Sequence, residues 1–123
     1  MGLFSATEIS VEEVQRDYAP ILTPGERVLA AFKTIRDIVF LTDLRFALVD
    51  VQGLTGRKVE VITIPYRSIT RFSVETAGTF DLDADLKVWV TGDPAPVSVK
   101  IGRKSDTANI QRILAYHVFG LKG

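Results

Sequence analysis

"LRFALVDVQGLTGRKVEVITIP", Leu44 to Pro65, is the stretch on which the fold turns. Two runs rich in valine, isoleucine and phenylalanine flank a short loop, Gln52-Gly53-Leu54-Thr55-Gly56. β-branched and aromatic residues suit a pleated strand, and glycines supply the positive φ that a hairpin turn needs. The two runs therefore read as the arms of a hairpin. Pro65 ends the second arm, because a proline lacks the N–H that a central strand donates.

The same loop precedes a basic pair, Arg57 and Lys58, and so raises the question of a phosphate-gripping loop. The spacing excludes it. A P-loop places four residues between its glycines, then Lys and Ser or Thr, and opens a helix. Here two residues separate Gly53 from Gly56, Val59 follows Lys58, and the sequence continues as a strand. A helix N-terminus with its aligned N–H groups is missing from that design.

Working outward, the strand period extends from Arg27 to Arg103. "RVLAAFKTI" and "DIVFLTD" form a hairpin turning at Arg36-Asp37, and "LRFALVDV" follows Asp43 with little room for a loop. After Pro65, "TRFSVET" restarts the pattern. "ADLKVWV" and "VSVKI" complete it through Gly92-Asp93-Pro94-Ala95-Pro96. This predicts seven strands.

A helix stands at each end. Ser10 and Glu13 have capping-box spacing, and Val11, Val14 and Tyr18 share one helical stripe. In "SDTANIQRILAYHVFG", Ser105 or Asp106 can cap the first turn. Ile110, Ile113, Leu114, His117 and Leu121 trace one face, and Gly120 is the stop. The reading is one domain over 1–123, with an N-terminal helix over about 5–20, a barrel over about 26–103 and a capping helix over about 105–119. It is a mainly β chain, a small antiparallel barrel whose open mouth receives the apolar face of the last helix.

The bulk composition narrows function. With 123 residues, 46% hydrophobic and 24% charged, the chain can bury a core without staples. Fifteen basic residues balance fifteen acidic ones, so the broad positive field that nucleic-acid binding uses is absent. No cysteine is present, which excludes disulfides, thiolate zinc sites and cysteine nucleophiles. No apolar run approaches the roughly 20 residues of a membrane-spanning helix, and "MGLFSATE" lacks the basic n-region of a secretory signal. The expectation is a soluble, cytoplasmic protein.

Several segments together resemble the bacterial pleckstrin-homology domain family. They are the "LT-x-x-R" strand junction, the "QGLTG" hairpin, the "IPY-x-SI" turn and the "DLDA-x-LK-x-W" segment, within a likeness that runs from about Thr23 through the closing helix. The resemblance implies a seven-stranded PH-like barrel of two packed antiparallel sheets capped by a C-terminal α-helix. This chain adds an N-terminal helix. Some members look like ring-forming homo-oligomers. Eukaryotic relatives of the fold often bind inositol phosphates at the open barrel end. The loops mapped there carry Arg36, then Arg57 and Lys58, then Asp93 with two prolines. Three cations beside two carboxylates make a dilute anion site, and the relatives' basic pattern is absent from the first hairpin.

Other constellations fail on chemistry. In "DLDAD" the positions where a calcium loop needs Gly and Glu are Leu86 and Gly92. His117 is the only histidine, falls on an apolar helical face, and has no cysteine or second histidine to share a metal. No Ser or Thr sits in a nucleophile motif, so no enzyme, cofactor or metal is expected.

Trp89 is the anomaly. Leu86, Val88 and Val90 share one strand face, so Trp89 points outward with Lys87, while Arg71 and Glu75 point outward from the neighbouring strand. A large aromatic among polar groups on an outer face marks an interface. Either the N-terminal helix covers it, or another subunit does. The expected function is a non-catalytic module that self-assembles through Arg71, Glu75, Lys87 and Trp89. The alternative is peripheral anion or lipid binding through Arg36, Arg57 and Lys58.

Overall fold

The computed structural model describes residues 9–34, 37–52, 58–76, 84–102 and 106–120. Ser10 is extended and its hydroxyl accepts from the Glu13 N–H, opening helix α1, Val11–Asp17. The helix is shorter than expected. It stops before Pro20, which sits in a 3-10 turn, Ala19–Ile21. A proline disfavours helical geometry at the residue before it and cannot donate back into the turn. The part of the expected helix ahead of Ile9 lies outside the described residues.

Seven strands follow: β1 Val28–Lys33, β2 Asp37–Thr42, β3 Arg45–Gln52, β4 Lys58–Pro65, β5 Ile69–Glu75, β6 Ala84–Val90 and β7 Val97–Ile101. A 3-10 turn, Tyr66–Ser68, joins β4 to β5, directly after Pro65. Helix α2, Thr107–Val118, is capped by the Asp106 side chain, which accepts from the Asn109 N–H. All pairings are antiparallel. The strands form a four-stranded sheet ordered β1-β2-β3-β4 and a three-stranded sheet ordered β5-β6-β7.

The two sheets enclose the main core. Val39, Leu41, Phe46 and Leu48 face Leu86, Val88, Val99 and Ile101, and Ile110 and Leu114 of α2 close the same cluster. The alternate residues of β2 and β3 point the other way. Phe40, Ala47 and Val49 form a second cluster with Val28, roofed by Val14 of α1. The middle strands β2 and β3 thus bury both faces, which is why "IVFL" and "FALV" are unbroken apolar runs, whereas most of β4 is exposed. The second sheet buries one face. "LKVWV" alternates accordingly, and its outer face is left to other uses.

Candidate functional site

On the outer face of the second sheet, β5 places Arg71, Ser73 and Glu75 opposite Trp89, Lys87 and Asp85 of β6. A register shift between Ile69 and Arg71 sets this alignment. The extra residue, Thr70, takes up the bulge, and its hydroxyl donates to the Trp89 carbonyl at 3.3 Å. Ile69 can therefore stay buried while Arg71 turns outward beside the tryptophan. The Arg71 guanidinium sits 4.1 Å from the centre of the Trp89 ring, a cation–π contact.

The face is polarised along its strands. Arg71 and Trp89 occupy one end. Glu75 and Asp85 are direct cross-strand partners at the other, where like charges oppose each other. Lys100 of β7 relieves part of that repulsion through a 3.0 Å contact with the Asp85 carboxylate. Both groups reach solvent, so the pair contributes little to stability. All four residues expected at an interface thus come together on one outward surface. Helix α1, as described from Val11 to Asp17, packs its Val14 against the first sheet and not against the face that bears Trp89.

Of the three cations of the anion-binding alternative, only Lys58 lies among the described residues. Arg36 and Arg57 lie outside them, as do Asp81 and Asp83. Lys58 is exposed at the first residue of β4, and Asp93 is exposed in the β6–β7 turn. The histidine has a packing role. His117 stacks on Tyr66 with ring centres 4.7 Å apart, and its Nδ1 lies 2.9 Å from the Ile113 carbonyl. The Tyr66 hydroxyl in turn donates to the Thr42 carbonyl at 2.6 Å, and burial pushes its pKa well above the ordinary tyrosine range. No group of acidic or histidine side chains among the described residues is placed to hold a metal ion. No helix among them is long and apolar enough to cross a membrane.

One cluster escaped the sequence reading. Glu26, placed in a turn by "LTPGE", is buried. Its Oε1 accepts from the Thr23 N–H and from Arg45 Nη2. Its Oε2 accepts from the Thr42 hydroxyl at 2.6 Å and from Arg45 Nε at 2.8 Å. Burial alone would raise the Glu26 pKa. The hydrogen bonds from Arg45, Thr42 and Thr23, with the Arg45 charge, outweigh it and hold the carboxyl at about 2. Arg45 also reaches the Ile21 carbonyl, tying the segment after α1 to the β2–β3 turn. The one sequence signal was "LT-x-x-R" itself, whose Thr42 and Arg45 are the partners.

Comparison with known proteins agrees with this architecture. The family model for the bacterial PH domain matches residues 1–118. The chain is 50% identical over 114 residues to the uncharacterized protein YjqA of Bacillus subtilis (strain 168), covering 92% of this chain and 91% of that one. A DUF1696 family protein with a pleckstrin-homology domain from Shewanella loihica PV-4 superposes with a TM-score of 0.84 at 38% identity, covering 93% and 97% of the two chains. A pleckstrin homology domain from Shewanella amazonensis SB2B gives a TM-score of 0.73 at 39% identity, covering 91% and 90%.

Proposed function

The chain belongs to the bacterial PH domain family, and on that premise we propose that it is a non-catalytic protein-interaction module that self-assembles into a closed homo-oligomer, a ring. The observation that carries this reading is the polarised outer face of β5–β7. Arg71 stands over Trp89 at one end and Glu75 at the other. A head-to-tail contact sets the basic, aromatic end of one copy against the acidic end of the next. Such a heterologous contact closes when its rotation divides a full turn. Trp89 supplies the apolar anchor, the kind of residue that dominates interface energetics. Balanced total charge removes long-range repulsion between copies.

The test is mass by light scattering across a concentration series. The wild type should run as an oligomer, and Trp89→Glu, which buries an unpaired charge in the contact, should run as a folded monomer. A wild type that stays monomeric at high concentration would defeat the proposal. The anion-binding alternative, through Arg36, Arg57 and Lys58, stands second because neighbouring carboxylates, Asp37 and Asp93, dilute its charge. Sedimentation with anionic vesicles checks it directly.

A further inference from the structure

Among the described residues, strand β1 is an edge of its sheet, paired with β2. An edge strand offers backbone donors and acceptors to any extended chain that reaches it. One end of this edge is already occupied by a side chain acting as a strand. The Gln15 Oε1 accepts from the Val28 N–H at 2.7 Å, and its Nε2 donates to the Glu26 carbonyl at 2.9 Å. A carboxamide has the same donor and acceptor as a peptide group, so Gln15 marks the side on which this edge accepts pairing.

Beyond Val28 the strand runs into a groove of about 220 Å³. Four consecutive residues, Leu29 to Phe32, line it. The register with β2 shifts at Leu29, and beyond it Ala30 and Phe32 face the main core while Ala31 packs on the second cluster, so a groove bounded by these residues follows the edge rather than either face. Its walls are apolar where Val11 of α1 and Ile110 of α2 approach, and Ala30 and Ala31 keep it open. The one charged residue in the lining is Asp106, at the N-cap of α2.

We propose that this groove binds an extended segment of a partner protein by strand addition to β1, with alternating apolar side chains and a basic residue opposite Asp106. Main-chain pairing selects an extended backbone, apolar walls select alternate side chains, and the carboxylate selects a cation. This surface lies on the first sheet and is independent of the outer face of β5–β7.

The probe is a labelled synthetic octapeptide alternating valine and threonine with one central arginine, titrated against the full chain by fluorescence anisotropy. Two analogues carry N-methyl groups at the odd or at the even positions. Saturable binding is expected, and one analogue alone should lose about tenfold in affinity, because pairing uses one set of N–H groups. Amide exchange should slow at alternate residues within Leu29 to Phe32, those whose N–H groups face away from β2. Asp106→Asn keeps the cap and should weaken the arginine peptide several-fold, while a citrulline version binds both proteins equally. Absence of saturation at about millimolar peptide overturns the proposal. So does equal binding by both analogues. Exchange protection of this edge that rises with protein concentration and no peptide would assign it to a second copy, and would overturn it too.

Discussion

The Arg71 guanidinium lies 4.1 Å from the centre of the Trp89 ring across the β5–β6 pair, on a sheet face that α1 does not cover. Trp89 is the only tryptophan in the chain. Its emission therefore reports on that face alone. As protein concentration rises through assembly, the emission maximum should move to shorter wavelength. Trp89 emission that is constant across a concentration range in which mass increases would place the contact elsewhere.

Glu26 makes stability depend on acid. Its pKa is about 2 in the folded chain, against an ordinary 4.5. A depressed carboxylate stabilises the fold fully above the unfolded value and loses that contribution as pH falls from about 4.5 toward 2. Glu26→Gln should cost about 3 kcal/mol at pH 7, since it leaves the Arg45 guanidinium without its counter-charge in a site with little solvent. Urea unfolding at pH 7 and at pH 3 is the measurement. The gap between wild type and variant should narrow at the lower pH; a gap that does not change with pH would remove the ionised carboxylate from the explanation.

Leu114, on the inner face of α2, is fully buried in the cluster shared by both sheets. Replacing it with alanine should cost about 2–5 kcal/mol, the lost transfer energy plus the cavity left behind. A cost below about 1 kcal/mol would mean that the helix does not close the core.

Gln15 pairs with both the Val28 N–H and the Glu26 carbonyl. In Gln15→Ala the buried Val28 amide loses its acceptor, which should lower stability by about 1–2 kcal/mol. Amide exchange at Val28 should quicken more than at Phe40, which lies in the middle strand pair. Equal change at both would indicate a global loss of stability instead of an opened edge.

Much of the architecture was legible because its signals are local. The alternation in "LKVWV" declares one wet and one dry face, and the structure puts Leu86 and Val88 inside with Lys87 and Trp89 outside. Pro65 ended β4, Ser10 capped α1, and Asp106, one of the two candidates, capped α2, each through backbone chemistry confined to a few residues. The grouping of Arg71 with Trp89 was partly legible. Side-chain parity gave their common face, but the bulge at Thr70 that aligns them is a property of the pairing.

By itself the sequence determined the kind and order of the elements, since period, caps and turns act over one or two turns of chain. Only the tertiary structure decided which sheet α1 covers. The stripe of Val11, Val14 and Tyr18 states that the helix needs an apolar partner, and hydrophobic burial is non-directional, so it does not say which. The answer came from β2 and β3, whose pairing turns Phe40, Ala47 and Val49 outward to meet Val14. The same holds for Glu26. A glutamate in a turn reads as solvated until the fold brings Arg45, nineteen residues away, within 2.7 Å of its carboxylate. Burial of a charge depends on partners distant in sequence, and those are assembled only when the sheet is formed.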